Sequence, residues 1–243
     1  MDIHKLYSDW EHLSNIELFF AGRENFGKNK IILSGDECRH AVKVMRHLRG
    51  DELFVTAGDG KIFQCLIEEI LKDTLILIIK EEFTYHNRFS NIIFCLPKLK
   101  NPERFEFALE KCTEMGITNF IIFESERTIS KSLKTDRWQK ILVSAMKQSL
   151  QSFLPSIITI NSIKEIGSLE GTKLVFEQNA ANIFRGLPVD NASKFYLIFG
   201  PEGGFSKKEL EIFGENELFK LANNRLRSET AVIKCASLLT NII

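Results

Sequence analysis

From Asn91 onward the chain alternates short apolar runs with stretches of helical period, and that alternation constrains its fold more than any other feature. Ile92–Leu96, Asn119–Phe123, Ile157–Ile160, Lys173–Phe176 and Phe195–Phe199 are the apolar runs, each of strand length and rich in Ile, Leu, Val or Phe. Asn101-Pro102 opens a helix, because Asn offers an oxygen to the spare N–H groups of a first turn and Pro has no N–H to leave unpaired there. Phe105, Ala108, Leu109, Cys112 and Met115 fall on the buried side of that helix, and Gly116 ends it. Another helix is predicted around Arg137–Ser152, stopped before Pro155, and a last one after Arg227. Strand and helix in turn predict an α/β domain with a parallel sheet.

Before Glu81 the pattern differs. Ile16–Phe20, Lys30–Leu33, Glu52–Thr56, Ile62–Ile67 and Thr74–Lys80 read as short strands, with Gly58-Asp59-Gly60 as a turn between two of them. One helix interrupts the series: Ser34 and Glu37 have capping-box spacing, and Ala41, Val42, Val44, Met45 and Leu48 supply an apolar side until Gly50-Asp51. Short strands with a single helix predict a small β-barrel domain. The polar stretch Glu81–Ser90 is the expected boundary, dividing the chain into residues 1–17 as an extension containing Tyr7 and Trp10, 18–82 as the β domain and 83–243 as the α/β domain. There are no internal repeats and no low-complexity tract.

Composition excludes several classes. Cys38, Cys65, Cys95, Cys112 and Cys235 are odd in number and never paired as C-x-x-C, which argues against a disulfide framework or zinc site and fits a reducing cytoplasm. His4, His12, His40, His47 and His86 form no metal-binding pattern, so no metal is expected. The N-terminal Met-Asp-Ile-His-Lys has no secretory h-region, and the longest apolar run, near Leu75–Ile79, is far below the about 20 residues that span a bilayer. A soluble protein is expected. Lys+Arg and Asp+Glu are both 32, so total charge makes no case for nucleic acid, which usually selects a basic excess.

Local patterns make that case instead. Ile198-Phe199-Gly200-Pro201-Glu202-Gly203-Gly204-Phe205-Ser206 runs a strand into a glycine-rich loop and then into a helix capped by Ser206 and Glu209. Ligands of open α/β sheets bind at such carboxyl ends, where glycines admit close backbone approach, and Glu202 brings a charge that could sit near a cation. Spacing alone allows a plain strand-to-helix turn equally well. The loop is not G-x-G-x-x-G, and neither a P-loop nor a G-x-S-x-G elbow occurs, so dinucleotide, P-loop and hydrolase chemistry lack support. Leu221–Ala231 gathers Arg225, Arg227, Ser228, Glu229 and Thr230 where the last helix begins, a place that favours anions, though a surface salt bridge explains it too. Arg39, Lys43, Arg46 and Arg49 recur at helical spacing with no acid between Cys38 and Gly50, and Arg127, Lys131, Lys134, Arg137 and Lys140 recur similarly around Asp136. Phosphate backbones are bound by such surfaces, and solvated helix faces carry them as well. The 20 phenylalanines read mostly as core.

Taken in order, these segments resemble the RsmE family of 16S rRNA uridine N3-methyltransferases, within the SPOUT class of knotted methyltransferases. The resemblance runs from about Leu18 to the C-terminus through His40–Arg46, Gly50-Asp51-Glu52, Leu109–Ile117, Ser125-Glu126-Arg127-Thr128, Arg137-Trp138, Gln148-Ser149, Phe199–Gly204 and Leu226–Ala231. It implies a PUA-like barrel that helps hold RNA and a C-terminal α/β domain threaded as a trefoil knot, dimerising through the knot. S-adenosyl-L-methionine would sit there, bound by Phe176, Glu177, Gly200, Glu202, Gly203, Gly204, Leu221, Ala222, Leu226 and Thr230, the glycines leaving room that side chains would block. Arg227 is the cation nominated to stabilise a uracil anion, and Glu229 the group that positions it or assists proton transfer. Arg39, His40, Lys43, Arg46, Arg127, Arg137 and Gln148 are the nominated ribosomal RNA contacts. Ala222 stands where the family usually has glycine, Ser228 where it has threonine, and Gln151 where it generally carries arginine. Two alternatives stay open: another RNA target such as tRNA, and a non-catalytic RNA-binding or ribosome-assembly protein.

Overall fold

The computed structural model describes residues 16–127, 134–187 and 193–240. Tyr7, Trp10, His4, His12, Thr128 and Lys131 lie outside the described residues. Contacts divide the chain into two units, one taking the described residues up to Asn87 with Met146–Leu154, the other Arg88–Ala145 and the chain from Pro155.

In the first unit β1 (Leu18–Phe20), β2 (Lys30–Ser34), β3 (Glu52–Thr56), β4 (Lys61–Ile70) and β5 (Thr74–Thr84) form one sheet in the order β1-β3-β4-β5-β2. All neighbours are antiparallel except β1 and β3. Alternation sends Ile31 and Leu33 of β2, and Leu75 and Leu77 of β5, into a core shared with Phe19, Leu53 and Val55.

The helix of this unit departs from its prediction. Ser34 makes no side-chain cap, because Glu37 is engaged elsewhere: its two oxygens accept from the Phe20 amide at 3.3 Å and from Lys147 at 2.5 Å. Helix α1 (Gly35–Arg39) widens into a π-helical turn, His40–Val44, and Arg46 then reverses the backbone at φ 61°. Cys38 and Ala41 are buried, whereas Val44, Met45 and Leu48 are exposed. Arg39, Lys43, Arg46 and Arg49 therefore do not share one helix face, since only the first two lie in helical backbone.

The predicted Gly58–Gly60 turn has a second role. Gly60 N–H donates to the Ser152 carbonyl, and Leu154 N–H to that of Gly58, both at 2.9 Å. Gly58 and Gly60 have φ of 76° and 92°, and a Cβ on Gly60 would lie 2.6 Å from the Phe153 ring. This docking explains why the helix expected as far as Ser152 stops at Gln148: Leu150 takes φ 56° and the chain leaves in extended form.

The second unit is a wholly parallel sheet in the order β10-β12-β9-β11-β6-β7-β8. Its strands are β6 (Ile92–Pro97), β7 (Asn119–Phe123), β8 (Ser156–Ile160), β9 (Thr172–Phe176), β10 (Asn182–Ile183), β11 (Phe195–Phe199) and β12 (Leu218–Lys220). Every residue of central β11 is buried, Leu197 standing opposite both Phe94 and Leu174. On one face Phe195, Leu197 and Phe199 meet α2 (Pro102–Glu114) and α6 (Ser228–Thr240), with Trp138 of α3 (Thr135–Gln148) packed on Phe105. On the other, Tyr196 and Ile198 meet Ile163 and Ile166 of α4 (Ile163–Gly167) and Phe205, just before α5 (Lys207–Leu210). Asn101 caps α2 as predicted, its Oδ1 accepting from Glu103 N–H at 2.9 Å and Arg104 N–H at 3.4 Å.

All five cysteines are buried. Burial pushes the Cys65 thiol up to about 12 and raises those of Cys38, Cys95, Cys112 and Cys235. Iodoacetamide at mildly alkaline pH should thus label almost nothing in the folded chain and all five thiols in denaturant, as mass spectrometry would read. Rapid labelling of the folded chain would contradict this packing.

Candidate functional site

Strands β12, β9, β11, β6 and β7 are consecutive neighbours and parallel, so the loops after all five emerge at one edge of the sheet. Two cavities open among them. The first, of about 700 Å³, is lined by Phe176, Glu177, Phe199, the Gly200–Phe205 loop, Leu221, Ala222 and Leu226, with Arg104, Arg225 and Arg227 on its border. Nine of the ten nominated cofactor residues line it; Thr230 does not, being exposed on the first turn of α6.

The glycine-rich loop is fastened from several sides. Glu202 Oε1 accepts from the Lys100 amide at 3.0 Å, Arg127 Nη1 donates to the Gly203 carbonyl at 2.5 Å, and Ser228 Oγ donates to the Gly200 carbonyl at 2.6 Å. Glu202 thus secures the start of the β6–α2 connection. The capping box of Ser206 and Glu209 forms as predicted, and Glu209 Oε1 also takes the Glu126 amide at 3.0 Å.

The three glycines have different surroundings within the protein. A Cβ on Gly200 would come within 3.2 Å of the Phe205 ring, and one on Gly203 within 3.4 Å of Arg127 Cδ. Gly204 alone looks onto open space, and its φ of 68° is what favours glycine.

Arg227 lines the cavity, and its guanidinium has no partner among the described residues. Glu229 is buried, lines neither cavity, and makes an ion pair with Arg104, at 3.6 Å from Oε1 to Nε; among the described residues it makes none with Arg227, the cation it was nominated to position. Successive positions at a helix start point in different directions, and residue 229 turns toward α2.

The second cavity, of about 820 Å³, shares Arg104, Glu202 and Gly203 with the first and is otherwise lined by the start of α2 with Lys100, Arg127, Lys134 and Arg137. Two of the nominated RNA contacts, Arg127 and Arg137, are here; Arg39, Lys43 and Arg46 are exposed on the first unit with His40 half-exposed, and Gln148 is exposed at the end of α3. His40 Nε2 lies 2.9 Å from Glu17 Oε1. Among the described residues no cluster of His, Cys, Asp or Glu suited to a metal occurs, and no helix is long and apolar enough to cross a membrane. Sequence reading missed Arg104 and Lys100. Arg104 carried a usable signal, a cation in the first turn of a capped helix at the carboxyl end of a strand.

A glycine-lined cavity with apolar walls beside a cationic cleft, at the carboxyl edge of a parallel sheet, defines an α/β protein that holds a small cofactor next to an anionic substrate. Residues 86–240 match the RNA methyltransferase domain family and residues 33–80 the RNA methyltransferase PUA domain family. The chain belongs to the RNA methyltransferase family, with a PUA-like N-terminal domain. The ribosomal RNA small subunit methyltransferase E of Aquifex aeolicus is 29% identical over 224 residues, which cover 88% of this chain and 95% of the relative. That of Bacillus subtilis is 27% identical over 226 residues, covering 84% and 87%. The crystal structure of a ribosomal RNA small subunit methyltransferase E from Neisseria gonorrhoeae bound to S-adenosyl methionine is similar with a TM-score of 0.81 at 25% identity, over 92% of this chain and 96% of that one.

Proposed function

We propose that the chain methylates N3 of a uridine in small-subunit (16S) ribosomal RNA, with S-adenosyl-L-methionine as methyl donor. The observation that carries this reading is the adjoining pair of cavities, one walled for a cofactor and one cationic, joined at Arg104 in a chain of this family. Residues 83–243 are the catalytic domain in this reading, residues 18–82 help hold the RNA, and the knotted homodimer implied by the resemblance belongs to the same proposal.

The first cavity fits the cofactor chemically. Phe176, Leu221 and Leu226 offer apolar walls to a flat ring, the 200–204 loop offers backbone N–H and C=O groups, and Glu177 offers a carboxylate for a hydroxyl or ammonium. The bound cofactor supplies an electrophilic methyl group on a sulfonium.

What remains for the protein is to align the base and manage its charge. Uridine N3 carries a proton and becomes a nucleophile on losing it. Arg227, facing the cavity with no partner among the described residues, stabilises the negative charge that then spreads onto the uracil carbonyl oxygens. Because N3 lies on the pairing edge, the base must be unpaired before it can react.

Incubating unmodified small ribosomal subunits with methyl-labelled S-adenosylmethionine, then digesting and weighing the nucleosides, tests this reading directly. Labelled 3-methyluridine is expected. Label in another nucleoside, or only in tRNA, would overturn the assigned atom or substrate.

A further inference from the structure

We propose that the second cavity is a phosphodiester clamp for the target strand, in which two buried glutamates hold Arg104 and Arg137. This rests on the RNA-methylating reading above and assigns the cavity that reading leaves without an occupant.

Glu106 of α2 and Glu229 of α6 are 7% and 8% exposed. Each places one oxygen on an arginine that lines the cavity: Glu106 Oε2 lies 2.5 Å from Arg137 Nη2, and Glu229 Oε1 lies 3.6 Å from Arg104 Nε. In both carboxylates the other oxygen is buried with no hydrogen-bond partner among the described residues. A buried carboxylate with an oxygen left in this way is costly, and apolar residues would pack these positions at less expense to stability. What the glutamates achieve is to aim two guanidinium groups.

The aim leaves donors over. Arg104 meets its glutamate through Nε, so its terminal Nη1 and Nη2 edge has no partner among the described residues; Arg137 uses Nη2 and keeps Nε and Nη1. Such planar forks match the oxygens of a phosphate. Lys100, Arg127 and Lys134 add charge around them, against Glu103 and Glu202. The start of α2 is not itself the anion site, because Asn101 Oδ1 already takes the Glu103 and Arg104 amides. Among the described residues no aromatic side chain lines this cavity to stack on a base, whereas Phe176 and Phe199 line the first. The backbone belongs in the second cavity, and Arg104 on the shared border places a held phosphate next to the first.

The test uses the full chain with unmodified small-subunit RNA, measuring RNA affinity across a range of salt, KM and kcat, and S-adenosylmethionine affinity by calorimetry. Arg104→Gln and Arg137→Gln should each weaken RNA binding several-fold and lower the slope of log K against log salt by about 1, with cofactor affinity unchanged. Glu106→Gln and Glu229→Gln keep the arginine charges but release them, so KM for RNA should rise while the salt slope stays. Arg137→Lys should likewise keep the slope and lose affinity. Unchanged affinity and slope in the double arginine variant, or lost cofactor binding with RNA binding intact, would overturn the clamp. If wild type binds RNA with these arginine-dependent slopes yet makes no 3-methyluridine, the functional reading fails and the clamp stands. If it makes 3-methyluridine while the double variant binds RNA as wild type does, the clamp alone fails.

Discussion

Gly204→Val is expected to abolish detectable S-adenosylmethionine binding in calorimetry, a loss of at least about 100-fold or about 2.7 kcal/mol, in a chain that still folds. Nothing among the described residues beyond its chain neighbours lies within 4 Å of a Cβ built on Gly204, so the new side chain starts into the space beside the loop that lines the cavity. Its φ of 68° is a second obstacle, since a β-branched residue there costs on the order of 1–3 kcal/mol and strains the loop that the Gly204 amide closes onto the Pro201 carbonyl at 2.9 Å. Gly204→Asn separates the two effects: Asn tolerates the left-handed backbone, so it should retain weak binding. Wild-type affinity in the valine variant would show that the cavity beside this loop is not where the cofactor binds.

Arg227→Ala is expected to lower kcat for uridine methylation by about 10²–10³-fold, with cofactor affinity unchanged. The expectation follows from position. Arg227 lies in the connection between β12 and α6, lines the cavity, and has no guanidinium partner among the described residues, so its charge is available to a uracil anion. The adjacent Ser228 fixes the backbone there through its bond to the Gly200 carbonyl. Arg227→Lys keeps a cation and should recover part of kcat. A rate unchanged in the alanine variant, with cofactor binding intact, would remove Arg227 from the chemistry.

These two residues were legible as candidates because each sits in a segment whose local pattern declares a strand end or a helix start. The strands Glu52–Thr56, Asn119–Phe123 and Phe195–Phe199 match their predicted bounds, and the caps at Asn101 and Ser206 form, because apolar runs and first-turn hydrogen bonds depend on near neighbours in the chain. Helix α4 and the strand Asn182–Ile183 escaped notice, being too short to show a period. Ser34 and Glu37 had the right spacing for a cap and failed to form one, because Glu37 found Lys147 and the Phe20 amide, groups brought to it by the fold.

The same distinction divides the site. Sequence by itself determined an α/β domain with a glycine-rich loop at the end of β11, nine of the residues that line the first cavity, and the family, whose segments recur in order. Tertiary structure alone decided the order β12-β9-β11-β6-β7, which collects loops from five separate parts of the chain at one edge. That order brings Glu229 to Arg104 instead of Arg227, sets Glu202 on the Lys100 amide, and places Arg104 between two cavities. Partners more than a hundred residues apart leave no periodic trace in a sequence; they are chosen by how strands and helices pack, and packing is a property of the folded chain.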